Sequence, residues 1–385
     1  MPRKQLATDV FNGVEEELRS LSRWMYDNPE TAYEEHEASS RLAAFLSSHG
    51  FAVTHPVYGI ETAFEANAGA SGPRVVICAE YDALPGVGHA CGHNIIATSS
   101  VGAGVAVAGL ADELGIRVTV LGTPAEEGGG GKIDLIEAGA FEDAAASILI
   151  HPSIRNLVDP RLLAAQGIEV IYHGKEAHAA ATPHLGRNAL DAFVGAYNAI
   201  SNLRQQFEPS DRVHGVILEG GHAPNVIPAT TRSRWIVRAA TKERFETLRE
   251  KVLACFHAAA AATGCEVELV FEGEPYVDLR SNPVMAALFS ANAVALGREM
   301  PSYAETGHET SASSDMGNVS HVVPSLHPSV AIETDAVNHQ PEFAAATITE
   351  SGDKALRDGA LAMAHTIIDM AEQDVWADLA EGADR

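Results

Sequence analysis

The sequence predicts an α/β fold in which helices flank a mixed sheet, with a smaller α+β domain inserted into the larger one. In the first half of the chain, short apolar runs rich in β-branched residues alternate with helical stretches, which is typical of helices packed on a sheet. After residue 166 the pattern becomes strand–helix–strand–strand–helix–strand, the order of a ferredoxin-like domain. A chain of 385 residues is long enough for two domains. We expect one domain at 1–166 with 281–385 and the other at 167–280.

The elements of the first domain can be read in order. Apolar residues recur at helical spacing over 8–27, and a second helix is expected over 35–47. The strand-like runs are "ETAFEANAG", "RVVICAEYD", "RVTVLG" and "ASILIHP". Helical stretches at 95–114 and 133–138 lie between them. Downstream of residue 282 the chain reads as helical again, and "HPSVAIETD" is expected to return a strand to the first sheet.

The inserted domain has its own sequence of elements. It starts with the strand-like run "GIEVIYHGKEAHAA" and continues into a helix expected at 188–207. The runs "RVHGVILEGG" and "TTRSRWIVRAA" predict two further strands. A helix at 242–263 and the strand "CEVELVFEG" complete the pattern.

Composition excludes several classes of partner. The formal net charge of −26 disfavours nucleic acids and anionic membranes, because both would be repelled. The first residues lack the apolar core of a secretory signal, and the weakly polar run 95–111 is interrupted by hydroxyl residues and glycines, which favours a buried helix over a membrane span. Four irregularly spaced cysteines do not make a disulfide framework. We therefore expect a cytoplasmic protein.

Side chains that can bind metal follow several of the predicted strands. A thiolate, imidazoles and carboxylates are the ligands that divalent transition metals such as zinc prefer. Strand ends supply these side chains from distant parts of the chain, and the set exceeds what one tetrahedral ion needs, which favours two ions sharing a bridging hydroxide. The candidates are Asp82, Cys91, His93, Glu126, Glu127, His151 and, far downstream, His339.

The adjacent carboxylates of "PAEE" would need different roles. One can bind metal while the other remains available as a general base. Each motif also has an ordinary structural explanation, since paired glutamates are often solvated and lone cysteines are often small buried hydrophobes. A deaminase zinc site would need H-x-E followed by P-C-x-x-C, and neither occurs in this sequence. A nucleophilic Cys91 would leave the glutamate pair and His151 without a role.

Together these motifs resemble the dinuclear-metal peptidases and amidohydrolases of the aminoacylase and carboxypeptidase G family. The segments that carry the resemblance are "EYDALPGVGHACGHN", "GTPAEEGGGGK", "LIHP", "GKEAHAAATP", "GRNALDA", "NVIPA", "SSDMGNVSHVVPSLHP" and "NHQPEF". They keep the family's order over nearly the whole chain. The "CGHN" segment resembles the corresponding segment in the branch of p-aminobenzoyl-glutamate hydrolases and β-alanyl-lysine dipeptidases. Other branches have "CGHD" at this position. Asn94 therefore marks the branch, and it lacks the charge of that aspartate.

The resemblance implies a role for each site residue. It assigns Cys91 as the ligand that bridges two divalent ions, and the other ligands as His93, Glu127, His151 and His339. Glu126 would be the general base, and Asp82 would orient a ligand. His178 would polarise the scissile carbonyl from the partner subunit, and Asn225 would bind the substrate carboxylate.

The implied activity is metal-dependent hydrolysis of an amide bond through a metal-bridging water and a glutamate base. The small-molecule substrate would be an N-acyl amino acid, a dipeptide or an aminobenzoyl-glutamate-like amide, and the ions zinc, manganese or cobalt. The inserted domain at 167–280 would serve as a lid and provide the contact of a homodimer. Two alternatives stay open: a catalytically silent, metal-stabilised binding subunit of the same fold, and a thiol enzyme built on Cys91.

Overall fold

The structure is a computed structural model that describes residues 1–307 and 312–382. The chain divides into two compact units: unit 1 comprises residues 1–161, 279–310 and 314–385, and unit 2 comprises residues 162–278 with 311–313. The roles expected for the two domains, metal binding for one and lid and dimerisation for the other, stay predictions.

Helices and strands alternate along most of the chain. Up to residue 161 the elements are α1 (Arg3–Asp27), α2 (His36–Ser48), β1 (Ala52–Thr54), β2 (Glu65–Ala68), β3 (Arg74–Ala79), α3 (His93–Ala108), α4 (Ala111–Leu114), β4 (Arg117–Gly122), α5 (Gly131–Glu137), β5 (Ala144–Ile148) and β6 (His151–Ser153). Unit 2 contains β7 (Ala164–His173), α6 (Ala189–Leu203), β8 (Arg212–Glu219), β9 (Thr230–Ala239), α7 (Lys242–Thr263) and β10 (Glu266–Tyr276). The chain then continues in unit 1 through α8 (Pro283–Ala295), α9 (Tyr303–Thr306), α10 (Met316–Ser320), β11 (Ser325–Leu326), β12 (Ser329–Ala331), α11 (Pro341–Ala346), α12 (Glu350–Glu372) and α13 (Trp376–Gly382).

Unit 1 is built on a mixed sheet with the strand order β1-β2-β4-β3-β5-β11. Strands β4, β3, β5 and β11 are parallel to one another, while β2 pairs antiparallel with both β1 and β4 at one side of the sheet. Every residue of β3 is buried, as expected for a strand covered on both faces. The predicted fold class, a mixed sheet flanked by helices, is confirmed.

One predicted strand pairs differently from expectation. The run "HPSVAIETD" forms β12, which pairs with β6 in a separate two-stranded sheet, so the prediction that it rejoins the main sheet was wrong. The chain returns to the main sheet slightly earlier, where β11 pairs with β5. Pro328 lies between β11 and β12, and because proline has no N–H to donate, it interrupts the ladder at this point.

Helix α3 is the central helix of unit 1. It is buried from His93 to Val107, which confirms the prediction of a buried helix for the apolar run that begins at residue 95. Gly102 allows the close approach of α1, since a Cβ atom there would lie 2.9 Å from side-chain carbons of Leu18 and Phe11. None of the helices in the described part of the chain is long and apolar enough to cross a membrane.

Unit 2 contains an antiparallel sheet covered by two helices. Its strand order is β10-β7-β9-β8, and the chain passes through the elements as strand–helix–strand–strand–helix–strand. Residues of β7 alternate between buried and partly exposed, and the buried ones, Ile168, Val170 and Tyr172, belong to one core with Phe245 and Phe256 of α7. The α+β arrangement predicted for this segment is therefore present.

Candidate metal centre

The parallel strands of unit 1 bring three polar loops to one edge of the main sheet. Asp82 follows β3, the pair Glu126–Glu127 follows β4, and His151 follows β5. Because β4, β3 and β5 are parallel neighbours, their carboxyl ends lie side by side. Residues that are far apart in the sequence therefore meet at this edge.

Cys91 lies among these loops, just before the start of α3. Its Sγ atom is 3.4 Å from Nε2 of His151. In four groups of side chains, the potential metal-binding atoms all lie within 4.8 Å of one another; one is Glu80 with Glu126 and Asp315, and the other three contain predicted ligands. These three groups are Cys91 with His93 and His151, Cys91 with Glu127 and His339, and His93 with Glu126 and Glu127. The first two groups share Cys91 and together contain all five predicted ligands.

Two of the predicted ligands, the buried His93 and the partly buried His151, present the same ring nitrogen to the centre. His93 Nδ1 lies 2.9 Å from Oδ1 of Asp82, and His151 Nδ1 lies 2.8 Å from the carbonyl oxygen of Pro152. A carbonyl can only accept, so Nδ1 of His151 carries the proton and its Nε2 has a free lone pair. A hydrogen bond from the second ring nitrogen to a carboxylate or carbonyl is the usual support of a metal-binding histidine.

The two glutamates of "PAEE" reach the same imidazole. Oε2 of Glu126 and Oε1 of Glu127 each lie 3.8 Å from Nε2 of His93. The backbone N–H of Glu127 donates to Oδ2 of Asp82 at 2.9 Å, so Asp82 holds both a histidine and this loop. Burial, together with the charges of Glu80 and Glu127, raises the pKa of Glu126 well above its usual value.

His339 reaches the centre from a distant part of unit 1. Its Nε2 lies 3.5 Å from Oε2 of Glu127, and 57% of its side chain is exposed. Its backbone N–H donates to the carbonyl of Ala90 at 2.8 Å, which ties this loop to the segment carrying Cys91. His339 has a left-handed φ of 73°, a conformation that non-glycine residues adopt rarely and often at functional sites.

The residues present fit divalent metal ions. Nε2 of His93 and Oε1 of Glu127 are buried and make no hydrogen bond within the described part of the chain. Buried polar atoms of this kind normally have a partner, and a cation would provide one. The donor set of one sulfur, imidazole nitrogens and a carboxylate suits zinc and similar ions.

The environment of Cys91 does not activate a thiol. Burial, and then the charge of Glu127, raise the pKa of the Cys91 thiol well above its usual value. Reactive cysteines instead have a lowered pKa, because the thiolate is the nucleophile. Without a cation this thiol stays protonated, so the geometry favours a ligand over a nucleophile.

A second charged cluster, which the sequence analysis did not identify, adjoins the centre. The Lys132 ammonium lies 2.6 Å from Oε1 of Glu80 and 2.7 Å from Oδ1 of Asp315, and all three side chains are fully buried. The backbone N–H of Lys132 also donates to Oδ2 of Asp315. Oε2 of Glu80 lies 3.7 Å from Nε2 of His93. The sequence contained one signal for Glu80. It precedes Asp82 by two residues, and in an extended segment such residues lie on the same face.

Two further buried histidines lie close to the predicted ligands. The His327 ring lies 5.5 Å, centroid to centroid, from the His151 ring, and burial with the nearby His151 lowers the pKa of His327 to about 3. Burial, and then His93, lower the pKa of His89 to about 3 as well. Both rings are therefore neutral at physiological pH. Within the described residues neither of them joins one of the potential metal-binding groups.

Asn94, the residue expected to mark the branch, makes hydrogen bonds to neighbouring helices. Its buried amide donates to the hydroxyl oxygens of Ser22 and Thr347, at 3.0 and 3.1 Å. These bonds join α3 to α1 and to the end of α11. The position thus has a packing role in which an amide donor serves directly.

The two predicted substrate-contacting residues lie in unit 2. His178 and Asn225 are exposed and occupy adjacent segments, because the backbone N–H of Ala179 donates to the carbonyl of Asn225 at 2.9 Å. The Nδ1 atom of His178 accepts from the backbone N–H groups of Ala180 and Ala181. The structure thus brings these two residues together, and their roles toward a substrate stay predictions.

Comparison with known proteins gives consistent matches. A family described as a peptidase dimerisation domain matches residues 164–263. The chain is 41% identical over 381 residues to the Xaa-Arg dipeptidase of Mus musculus, covering 95% of this chain and 88% of the relative. It is 32% identical over 285 residues to one of the subunits of the p-aminobenzoyl-glutamate hydrolase of Escherichia coli K12, covering 69% of this chain and 59% of that subunit. The fold matches the crystal structure of a dinuclear metal binding peptidase of the M20 family from Bacillus subtilis, with a TM-score of 0.74 and 20% identity over 94% of this chain and 99% of that one.

Proposed function

The chain belongs to the M20 peptidase family, and from that premise we propose that it hydrolyses Xaa-Arg dipeptides with two divalent ions held by Cys91, His93, Glu127, His151 and His339. It is a metal-dependent hydrolase of amide bonds, as its relatives are. The observation that carries the proposal is the convergence of five potential ligands around Cys91, with the carboxylate of Glu126 beside them.

The metal ions, Glu126 and Asp82 would have separate roles in the reaction. Two divalent ions would polarise the scissile carbonyl and lower the pKa of water. Glu126 takes the proton of the attacking water and delivers it to the departing amine. Asp82 orients His93 through Nδ1 and fixes the backbone beside Glu126 through the N–H of Glu127.

The choice among substrates rests on the relatives and on charge. The Xaa-Arg dipeptidase match covers 88% of that relative, whereas the match to the aminobenzoyl-glutamate hydrolase covers 59% of the matched protein. A formal net charge of −26 also favours encounter with a cationic dipeptide over an anionic aminobenzoyl-glutamate. Amides of aminobenzoyl-glutamate and N-acyl amino acids are the second candidates, because relatives of both kinds match this chain.

The experiment is metal removal, reconstitution and a substrate panel. Chelated protein should be inactive, and zinc, manganese or cobalt should each be tested for recovery of hydrolysis. The panel comprises Xaa-Arg, plain and β-alanyl dipeptides, N-acyl amino acids and p-aminobenzoyl-glutamate. Glu126→Gln should lower kcat by about 10²- to 10⁴-fold while the protein still binds two ions.

Controls separate the alternatives. Cys255→Ser, at a partly exposed cysteine of unit 2, should leave activity unchanged. Activity that survives chelation but is lost on alkylation of Cys91 would indicate a thiol enzyme. A protein loaded with two ions that hydrolyses none of the panel would support the silent binding subunit instead.

We also propose a cytoplasmic location. All four cysteines are free thiols, which supports it.

We further propose that the protein acts as a homodimer, with His178 completing the site of the partner subunit. The match to a peptidase dimerisation domain supports this, as does the edge strand β8, where Val216, Ile217 and Leu218 are exposed. If His178 acts in trans, mixing inactive His178→Ala and Glu126→Ala chains should restore part of the activity. Mixed dimers without any recovery would contradict this proposal.

A further inference from the structure

The loop that carries Glu126 depends on an unusual backbone conformation. Ala125, the residue before Glu126, has a φ of 60°, which is the left-handed region that favours glycine. The carbonyl of Ala125 accepts the N–H groups of Gly129 and Gly130, at 3.0 and 2.8 Å, and these bonds close a single turn over 126–129. The direction of the Glu126 side chain therefore depends on what holds Ala125 in place.

Two buried carboxylates hold the backbone on either side of Glu126. The N–H of Ala125 donates to Oε1 of Glu35 at 2.8 Å, and the N–H of Glu127 donates to Oδ2 of Asp82 at 2.9 Å. Glu35 is fully buried, although it lies 90 residues before Ala125 in the sequence. Asp82 also holds His93, whereas Oε1 of Glu35 accepts from the loop.

The position of Glu35 in its own helix shows that this contact is not incidental. Glu35 is the N-cap residue of α2, where a side chain normally accepts from the first N–H groups of the helix. Its side chain makes no such capping bond. Glu30 instead accepts the N–H groups of Glu37 and Ala38, at 3.1 and 2.8 Å. Because Glu30 accepts the first N–H groups of α2, the Glu35 side chain can accept the N–H of Ala125 in the loop that carries Glu126.

A neighbouring side chain contacts the same loop. The hydroxyl of Tyr33 donates to Oδ2 of Asp134 and lies 3.3 Å from the carbonyl of Gly129. The carbonyl of Glu30 accepts the N–H of Ala83, next to Asp82. The segment 30–35 therefore contacts the backbone of two loops, the one that carries Asp82 and the one that carries Glu126. Within this segment, Glu35 makes the contact nearest to Glu126.

We propose that Glu35 is a positioning residue for the general base, because its carboxylate holds the left-handed turn at Ala125 and thereby the direction of the Glu126 side chain. The inference rests on the proposed function, in which Glu126 moves the proton. It predicts that Glu35 acts on the rate of the chemical step, with little effect on ion binding.

The test compares Glu35→Leu with Glu35→Gln in enzyme reconstituted with metal. Leucine is similar in size but cannot accept the Ala125 N–H, so kcat should fall by about 10- to 100-fold, the range expected when a reacting group is displaced. KM should stay within about twofold and the bound metal at two ions per chain, because no ligand is touched. The amide oxygen of glutamine can still accept this bond, so Glu35→Gln should recover most of kcat.

A readout that does not depend on activity accompanies the kinetics. Amide hydrogen exchange of peptides covering 124–131 should become faster in Glu35→Leu and stay close to the parent in Glu35→Gln. Asp82→Asn is the comparison variant, since loss of a residue that orients a ligand should also weaken metal affinity, by about 10- to 100-fold. If Glu35→Leu does not fold, Glu35→Met replaces it, because methionine is also apolar, has a similar size and adapts to irregular space in a core.

Three results would overturn the inference: a kcat for Glu35→Leu within twofold of the parent, a loss of activity that follows a loss of bound metal, or an equal defect in Glu35→Gln. Glu126→Gln, assayed in parallel, keeps the two proposals apart. If Glu126→Gln retains the parental kcat, the proposed function fails. If Glu126→Gln is inactive while Glu35→Leu keeps the parental kcat, the proposal for Glu35 fails and the proposed function stands.

Discussion

Two ion pairs with the same N···O distance, one in unit 1 and one in unit 2, differ in how far they are exposed to water. In unit 1, Lys132 Nζ lies 2.6 Å from Oε1 of Glu80, and both side chains are fully buried. In unit 2, Arg232 Nη2 lies 2.6 Å from Oε1 of Glu169, with side chains that are 46% and 20% exposed. The pairs differ in their contact with water, and burial rather than distance sets what each contributes.

The difference follows from where each sheet meets solvent. The strands at the centre of unit 1 are covered on both faces, so charged side chains beyond their ends lie in a low-dielectric interior. The sheet of unit 2 has helices on one face, and its other face carries arginines and glutamates in contact with water. A buried charge is costly unless it is paired, so its presence in unit 1 indicates a function, whereas the exposed pairs of unit 2 need no such explanation.

The largest effect is expected from Lys132→Met, which removes the cation of the buried pair while keeping a side chain of similar length. Glu80 and Asp315 would then be buried without the ammonium between them, and the free energy of unfolding should fall by about 3–5 kcal/mol at pH 7. The measurement is urea unfolding in the presence of a chelator, so that metal binding does not contribute to the difference.

The pH dependence gives the control for Lys132→Met. Burial raises the pKa of Glu80, but the Lys132 ammonium and nearby histidines outweigh burial and lower it. A carboxyl with a lowered pKa contributes stability above its unfolded value, near pH 4.3, and loses it as the pH falls below that value. The difference between parent and variant should therefore shrink on acidification. A deficit that is the same at pH 7 and near pH 3 would mean that lost packing, rather than unpaired charge, is responsible.

Much of the fold could be predicted because it depends on local patterns. Hydrophobic periodicity indicated α1, α3 and α7, and β-branched runs indicated β3 and β4. The pairing of β12 could not be predicted, because a three-residue strand after a proline carries no signal for which sheet it joins. The short β1 was missed for the same reason, since its three residues show too little periodicity.

The candidate metal ligands could be predicted because cysteine and histidine at strand ends are uncommon and parallel strands bring their ends together. The supporting residues were not. Glu35 and Lys132 are common residue types without a distinctive spacing, and their partners lie 90 and 183 residues away, at Ala125 and Asp315. Their roles depend on burial and on contacts between elements, which appear only once the chain is folded.

The smallest effect is expected at the exposed pair of unit 2. Arg232→Met should leave the urea midpoint of unfolding close to that of the parent, because water screens both charges in the parent and solvates Glu169 in the variant. A double-mutant cycle with Glu169→Gln, measured by urea unfolding, should give a coupling close to the error of the measurement, and any coupling should decrease in 0.5 M salt. A large coupling that is insensitive to salt would contradict the comparison. It would mean that this face of unit 2 is withdrawn from water in the assembled protein.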